Sequence, residues 1–468
     1  MLIFLSSSTK PEQELRPAMG EEARSVWITA REVTDLVPGA SVDLYSNEIS
    51  YPTPLAQAPV GDYQVMALLD VNHRYAYDQD TTEAPRSKVV ALKQLDPAHA
   101  GAIELTLTER TPETPVSVAA PNELLDFVSP ALSAFWGRPI HMRGVVVLPP
   151  NYSTSQKRYP TVYWTHGFGA NLSVIAKSVA PRYAKSMANS DLPPMIYVLL
   201  DESCPGGTHE FADSANNGPW GKALTTELIP YLEKKYRMQG RASGRLLTGH
   251  SSGGWAALWL QVAYPTVFGG TWPTSPDPSD FRSFTGPNLH TDPPQNMYRD
   301  PSGQPWPLVR MDGREVMTVE DYARQEMVLG DYGGQFNSFN WVFSPRRKDG
   351  RPEPLFDSQT GVVNPEVERA WETYDIAQVL RQNAKRLRPL LQGKIHLTVG
   401  TADTFHLDEP ARLLEATMKE LGIQATFTFL PGKTHFDLYK DGLGKQIGKE
   451  MEEAAERGTR AKAETASR

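Results

Sequence analysis

Cysteine is nearly absent from this 468-residue chain, which contains only Cys204. A single cysteine excludes an intrachain disulfide and any zinc site built from several cysteines. Cys204 lies in the segment DESCPGGTHEF, which lacks the strand and helix that would present a nucleophile. We therefore expect it to be an ordinary buried or loop thiol.

The chain also lacks a run of 18 apolar residues and an excess of basic residues. The first absence predicts no membrane-spanning helix. Acidic residues outnumber basic ones, which gives a net charge of −8. A nucleic-acid-binding protein needs a basic face, so this balance argues against such a function. The glycine-rich nucleotide motifs and H-E-x-x-H are missing, and His406 and Asp408 have no further ligands near them in sequence. The sequence thus predicts no nucleic-acid partner, no cofactor and no metal.

The N-terminus, MLIFLSSSTK, has a short apolar stretch with no basic residue before it. This stretch is too short for the apolar region of a secretory signal. Two explanations stay open at this point: a cytoplasmic protein, or a chain that lacks its first residues.

Changes of pattern along the chain predict four segments. Residues 1–23 are polar and aperiodic, which indicates a loose N-terminal segment. Residues 24–118 contain short alternating stretches separated by turn residues, a pattern typical of a small β-sandwich. Residues 119–445 alternate strands with helices, which predicts an α/β domain with a mostly parallel sheet. The charged residues 446–468 are expected to form a solvated or disordered tail.

The alternation of strands and helices breaks between about residues 275 and 374. This stretch is rich in Pro, Asp, Asn, Gly and Trp and shows no clear period. An irregular stretch of this length inside a compact domain is usually functional or mobile. Two interpretations remain: an insertion that packs over the mouth of the catalytic domain, or a plain surface insertion.

The most informative motif is the G-x-S-x-G pentapeptide that contains Ser251. It follows RLLT, which is typical of the end of a buried strand, and precedes WAALWLQVAYP, which is typical of a helix. A strand, a sharp turn and a helix present a serine hydroxyl above a sheet, and the glycines leave room for the turn. A glycine-rich turn without chemistry is the alternative, but the flanking pattern favours Ser251 as a nucleophile. We expect the adjacent His250 to point away from it.

An α/β hydrolase presents its acid and then its histidine after the serine in chain order. Asp403, in KIHLTVGTAD, follows a predicted strand, where active-site loops gather. Asp408 and Glu409 compete with it, although the start of a helix also explains them. His435, in FLPGKTHFDLY, follows the last predicted strand and is the candidate base. His406 competes with it but lies too close to Asp403 in sequence.

Two backbone N–H groups are candidates to hold the oxyanion. One belongs to Ser252, directly after the nucleophile, and the other to Phe168, in the loop YWTHGFGAN. A plain glycine turn is the other explanation of HGFG. Trp220 and Asn217, in NNGPWG, are candidate substrate-binding residues if the indole forms an exposed apolar wall. A core position is the alternative for Trp220.

In combination, HGFG, ADSANNGPWG, GHSSGGWAALWL, VGTADT and GKTHF resemble the putative esterase family. This family includes esterase D (S-formylglutathione hydrolase), enterochelin esterase, feruloyl and acetyl esterase domains and the mycolyltransferases. The resemblance covers roughly residues 140–440. It implies an α/β-hydrolase fold that acts on esters or thioesters without a metal. A β domain ahead of such a module is similar to secreted bacterial esterases, which implies an extracytoplasmic location.

The resemblance also assigns site residues. It implies a triad of Ser251, Asp403 and His435, with oxyanion donors on Phe168 and Ser252. The predicted protein is thus a serine esterase that acts on a small-molecule or carbohydrate-linked ester through an acyl-enzyme. Two alternatives stay open: an acyltransferase with a sugar or other alcohol as acceptor, and an inactive hydrolase-fold protein that binds carbohydrate or a surface. The sequence makes no prediction of oligomeric state.

Overall fold

The computed structural model describes residues 1–17, 20–34 and 36–466. The predictions made for residues 18–19, 35 and 467–468 lie outside the described residues. Those positions fall in the predicted N-terminal segment, β domain and tail. The described chain forms an N-terminal antiparallel sheet followed by a larger mixed sheet with helices.

The N-terminal sheet consists of short strands with antiparallel pairings. They are β1 (Leu2–Ser6), β2 (Val26–Ala30), β3 (Ser50–Tyr51), β4 (Gly61–Leu68), β5 (Arg86–Ser87), β6 (Val90–Leu95) and β7 (Leu107–Glu109). Their order within the described residues is β3-β2-β1-β4-β5-β7, and β6 also pairs with β4. The pairings therefore join these strands into one sheet, where the predicted sandwich has two.

Strand β1 lies in the middle of this sheet, between β2 and β4. The prediction of a loose segment over residues 1–23 is therefore wrong for this stretch. Apolar residues of β1 are buried on both faces of the sheet: Phe4 clusters with Tyr75, and Leu5 clusters with Trp27. A central strand with two buried faces reads as an unbroken apolar run rather than an alternation, so the β period is hidden.

The remaining strands belong to the main sheet or to short two-stranded ribbons. They are β8 (Glu123–Val128), β9 (His141–Val147), β10 (Thr161–Thr165), β11 (Ile196–Leu200), β12 (Ser203–Cys204), β13 (Gly207–Thr208), β14 (Asp213–Ser214), β15 (Gly218–Pro219), β16 (Arg245–His250), β17 (Gly270–Thr274), β18 (Pro307–Met311), β19 (Arg314–Thr318), β20 (His396–Gly400) and β21 (Thr426–Leu430). The ribbons are β12–β13, β14–β15 and β18–β19.

In the described chain, the main sheet has the order β21-β20-β17-β16-β10-β11-β9-β8. Only β9 among these strands runs against the others. A mostly parallel sheet is thereby confirmed. The carboxyl ends of the central strands β10, β16 and β17 lie at one edge, where ligands bind in open α/β sheets.

Helices cover the faces of the main sheet and fill the connections. They are α1 (Tyr75–Asp78), α2 (Pro130–Trp136), α3 (Leu172–Val174), α4 (Ala180–Ala188), α5 (Trp220–Ala223), α6 (Ile229–Lys235), α7 (Ser252–Ala263), α8 (Val319–Leu329), α9 (Gln335–Phe343), α10 (Pro365–Trp371), α11 (Ile376–Gln382), α12 (Ala384–Leu391), α13 (Asp408–Glu420) and α14 (Leu443–Ala466). None of the helices within the described ranges is both long and apolar enough to span a bilayer.

Helix α14 corrects the prediction of a solvated or disordered tail over residues 446–468. One face of the helix repeats apolar residues every four positions and packs against the main sheet. That face consists of Leu443, Ile447, Met451 and Ala455. The Trp272 indole also donates a hydrogen bond to Glu450, at 2.9 Å. The many charged residues of the segment dominate its composition, which hides this amphipathic period.

The insertion over residues 275–374, every residue of which is described, is more regular than predicted. It contains the ribbon β18–β19 and helices α8, α9 and α10. Helix α9 buries Phe336, Phe339 and Phe343 in one cluster with Trp255 of α7. The prediction of no periodicity is therefore wrong, because the helical spacing of these phenylalanines marks a buried face. The insertion is part of the main core.

Candidate active site

Ser251 occupies the turn between β16 and α7, as the motif predicts. Its backbone has φ 59° and ψ −128°, a combination that residues with side chains rarely adopt. Such strain persists only where the surrounding structure enforces it, and it concentrates at functional sites. The turn therefore places the Ser251 hydroxyl at the carboxyl edge of the main sheet.

Two glycines make this turn possible by allowing close backbone contact. A Cβ atom on Gly249 would overlap the carbonyl oxygen of Gly253. A Cβ atom on Gly253 would overlap the carbonyl oxygen of Thr165, at the end of β10. The spacing of the G-x-S-x-G motif thus reflects how the start of α7 packs against the neighbouring strand.

Asp403 follows β20 and His435 follows β21, and the two side chains meet at this edge. His435 Nδ1 lies 3.0 Å from Asp403 Oδ2, and the side chains are 4% and 0% exposed. Burial raises the pKa of Asp403, but the hydrogen bond and charge of His435 and the Phe405 N–H outweigh it, so the pKa is lowered. The ionised carboxylate orients the imidazole, and Nε2 is the ring nitrogen that can take up a proton.

The competing candidates have partners outside this pair. In each case the partner is a side chain on another part of the chain. The contacts join His406 with Glu315 at 3.1 Å, Asp408 with Arg310 at 3.0 Å, and Glu409 with Ser283 at 3.4 Å. The geometry therefore favours Asp403 and His435 over these residues.

Asp277 also contacts the candidate nucleophile, which the sequence analysis missed. The Ser251 hydroxyl lies 3.5 Å from Asp277 Oδ1, and the Ser252 hydroxyl donates to Oδ2 at 2.6 Å. In the described part of the chain, Ser251 Oγ has this hydrogen bond and none to His435. Asp277 follows β17, so the rule that located Asp403 after a strand could have found it.

The Asp277 carboxyl group is buried and therefore poorly solvated. Burial raises the pKa of Asp277 to about 6; hydrogen bonds from Ser252 and Ser251 and the charge of His435 oppose this shift. Gln335, the first residue of α9, donates to Asp277 Oδ2 at 3.1 Å and to Ser252 Oγ at 3.2 Å. The insertion over residues 275–374 thus supplies both Asp277 and a side chain that donates to it.

Two further buried acids, Glu202 and Glu210, lie close enough to Asp277 for its charge to raise their pKa values. Neither carboxyl group has a hydrogen-bond partner within the residues that the structure describes. Burial raises the pKa of Glu202 to about 8 and that of Glu210 well above its ordinary value. A pKa of about 8 keeps the Glu202 carboxyl group largely protonated at neutral pH.

The loop after β10 lies against Ser251, as an oxyanion loop requires. A Cβ atom on Gly167 would lie 3.2 Å from Ser251 Cβ. Phe168 is the next residue of this loop, and Ser252 opens α7, where the first N–H groups of a helix have no partner within the helix. Both predicted donors thus belong to backbone that borders Ser251.

Trp220 and Asn217 are buried, which decides between the exposed wall and the core position that the sequence left open for Trp220. Trp220 is only 6% exposed, and its ring stacks on His209 with 3.6 Å between the centroids. Its indole donates to the Asn217 carbonyl at 2.9 Å, and Asn217 is buried as well. With its donor satisfied inside the protein, the indole gains more from the core than from solvent. Trp220 is therefore a core residue.

Aromatic rings surround the His435 imidazole. The His250 ring centroid lies 4.4 Å from that of His435, and His250 Nδ1 lies 3.1 Å from Thr274 Oγ1. Burial and the charge of His435 lower the pKa of His250 to about 3, which keeps it neutral. Phe405 contacts the imidazole edge-on at 4.9 Å, and Phe436 packs at 5.4 Å while 72% exposed.

A family model described as "Putative esterase" matches residues 137–445, well over half of the chain. This chain belongs to the putative esterase family. The predicted family membership is therefore confirmed. The matched range contains Ser251, Asp277 and the Asp403–His435 pair.

Similarity to curated relatives is confined to part of the chain. The chain is 30% identical over 124 residues to Esterase MT1326 of Mycobacterium tuberculosis (strain CDC 1551 / Oshkosh), which is 25% of each protein. It is 25% identical over 138 residues to "Uncharacterized protein YbbA" of Bacillus subtilis (strain 168), which is 27% of this chain and 53% of that protein. The chain thus spans about a quarter to a half of these relatives.

Solved structures of esterases are similar over a longer range. A ferulic acid esterase shares 15% identity, covers 71% of this chain and 98% of its own, and has a TM-score of 0.45. An S-formylglutathione hydrolase from Agrobacterium tumefaciens shares 14% identity, covers 72% and 95%, and has a TM-score of 0.44. Independently of these structures, the strand order of the main sheet and the strand–turn–helix arrangement at Ser251 identify the fold of this chain as that of an α/β hydrolase.

Proposed function

We propose that this protein is a serine esterase in which Ser251 is the nucleophile, His435 the general base and acid, and Asp403 the residue that orients the imidazole. The observation that carries the proposal is the strained turn at Ser251, at the sheet edge that also holds the buried Asp403–His435 pair. Membership of the putative esterase family supports ester hydrolysis as the reaction.

The first half of the reaction acylates Ser251. The hydroxyl turns from Asp277 towards His435, and Nε2 takes its proton as the oxygen attacks the ester carbonyl carbon. The N–H groups of Phe168 and Ser252 stabilise the negative charge that develops on the carbonyl oxygen. The tetrahedral intermediate then breaks its bond to the alcohol oxygen, which receives the proton from His435.

The second half of the reaction restores the serine. His435 removes a proton from a water molecule as the water oxygen attacks the acyl carbonyl carbon. The bond to Ser251 Oγ breaks, the serine recovers its proton from the imidazole, and the carboxylic acid leaves. Asp403 stays ionised throughout, since its hydrogen bonds and the positive imidazolium favour the charged form.

Substitution of the nucleophile tests the proposal. Ser251→Ala should reduce hydrolysis of p-nitrophenyl acetate to the uncatalysed background, while the circular dichroism spectrum and melting temperature stay close to wild type. Ser153→Ala, at an exposed serine, is the matched control and should retain full activity. Wild-type turnover by Ser251→Ala would refute the assignment.

A further inference from the structure

Helix α1 of the N-terminal region packs directly on the loop that carries Phe168. The Tyr77 hydroxyl donates a hydrogen bond to the Ala170 carbonyl at 2.7 Å. The Tyr77 ring meets the Phe168 ring edge-on, with 4.9 Å between the centroids. A Cβ atom on Gly169 would lie only 3.2 Å from the Tyr77 carbonyl oxygen. One residue therefore contacts three successive residues of this loop.

Asp78 adds a second link between the same two segments. Asn171 donates from Nδ2 to Asp78 Oδ2 at 2.9 Å, while its own Oδ1 accepts from the Val174 N–H at 3.1 Å. Arg74 donates to the same Asp78 oxygen at 2.6 Å. Asn171, at the end of the loop, is therefore tied both to α1 and to the helix that follows it.

The other side of α1 is closed by the insertion. A Cβ atom on Gly333 would lie 3.0 Å from the Tyr77 backbone nitrogen. The rings of His73 and Tyr332 also meet, with 5.5 Å between their centroids. Since Tyr77 is only 6% exposed, it is enclosed between the loop on one side and the insertion on the other.

We propose that Tyr77 is a positioning residue that holds the oxyanion loop in place, so that the N-terminal region completes the active site rather than forming a separate binding module. The inference rests on the proposed function. An oxyanion donor acts only if it is already aimed at the developing charge. Phe168 has a glycine on each side, and Gly169 has φ +80°. Glycines restrict the backbone little, so the sequence of the loop alone does not fix the loop conformation. The contacts with α1 supply the missing constraint.

The chain offers a matched pair of tyrosines for the test. Tyr77→Phe removes the hydroxyl that holds Ala170 and keeps the ring. Tyr75→Phe, in the same helix, removes a buried hydroxyl that has no hydrogen-bond partner in residues 1–17, 20–34 and 36–466. The Tyr75 ring packs on Phe4 inside the N-terminal sheet, so it serves as the control for a merely structural effect.

The measurement is kcat and KM for p-nitrophenyl acetate, expressed per site labelled by a fluorophosphonate. Tyr77→Phe should lower kcat about tenfold and change KM less than twofold, since one hydrogen bond is lost behind the oxyanion donor. Affinity for an aryl trifluoromethyl ketone, whose adduct places an oxyanion in the same position, should fall by the same factor as kcat/KM. Tyr75→Phe should match wild type in all of these quantities.

Three results would overturn the proposal. They are wild-type kcat per labelled site in Tyr77→Phe, an equal loss in Tyr75→Phe, and unchanged affinity for the trifluoromethyl ketone in Tyr77→Phe. Should Tyr77→Phe fail to fold, Asp78→Ala tests the second link, with a smaller loss of kcat expected and wild-type kcat as the contradicting result. An unlabelled, inactive wild-type enzyme would instead refute the proposed function itself.

Discussion

Asp403 and Asp277 are both buried at the carboxyl edge of the main sheet, yet their surroundings move their pKa values in opposite directions. Asp403 contacts an imidazole and a backbone N–H, which favour the charged form over the cost of burial. Asp277 contacts two hydroxyls and an amide, but burial, helped by the charge of Asp403, outweighs these contacts and raises its pKa. Two carboxyl groups at one sheet edge thus differ in how strongly they favour the charged form, and on this difference we base the different roles proposed for them.

Replacing each of these two carboxyl groups by an amide should change kcat by very different factors. Asp403→Asn should lower kcat by a factor on the order of 10³ to 10⁴, since an amide neither selects the correct imidazole tautomer nor stabilises the imidazolium. Asp277→Asn should lower kcat less than about tenfold, because an amide oxygen still accepts from Ser252. Hydrolysis of p-nitrophenyl acetate at pH 8 is the measurement that checks both expected values.

The pair of isosteric substitutions is its own control, as each removes one buried charge at the same sheet edge. An equal loss of kcat in both variants would contradict the division of roles. So would a larger loss in Asp277→Asn, which would make Asp277 the acid that acts on His435.

The opposite pKa shifts of Asp277 and Asp403 predict opposite dependences of stability on pH. The pKa of Asp277 is raised to about 6 in the folded state, so the folded protein binds more protons than the unfolded chain between the ordinary Asp value and about pH 6. Its favourable contribution is complete at low pH and is lost as pH rises through this window. By pH 8 the loss approaches about 3 kcal/mol, at 1.36 kcal/mol per pKa unit. Asp277→Asn has no ionisable group at this position, so its free energy of unfolding should not fall in this way as pH rises.

Denaturant unfolding of wild type and Asp277→Asn at pH 4 and pH 8 measures this difference. The variant should gain stability relative to wild type at the higher pH. For Asp403, whose folded pKa is lowered, the sign is opposite: its contribution is present above the ordinary Asp pKa and is lost as pH falls through the folded value. A difference between wild type and Asp277→Asn that is independent of pH would contradict the raised pKa.

A weaker loss of activity is expected at Gln335, whose side chain donates to Asp277 Oδ2 and Ser252 Oγ. Gln335→Ala removes two hydrogen bonds on the Asp277 side and leaves the Asp403–His435 pair intact. We expect kcat to fall less than about fivefold, since the lost contacts act on groups behind the nucleophile. Steady-state kinetics on p-nitrophenyl acetate provides the measurement, and a loss as large as that of Asp403→Asn would contradict the account.

The sequence allowed the turn at Ser251, Asp403 and His435 to be predicted because each has a local signal. For Ser251 the signal is a motif, and for Asp403 and His435 it is a position just after a strand. Asp277 also follows a strand, but its Pro-rich neighbours caused it to be assigned to an irregular insertion. Strand β1 and helix α14 were missed for another reason. Both are stabilised by burial against residues far away in the chain, and composition alone does not report such partners.

Mapping of a fluorophosphonate adduct tests most directly whether Ser251 is the nucleophile. The Ser251 oxygen should displace fluoride and carry the phosphonyl group, so that peptide mass spectrometry of the labelled wild-type protein finds the adduct at residue 251 as activity is lost. Inactivation with the adduct on another residue, or full activity in protein that is completely labelled at Ser251, would contradict the account.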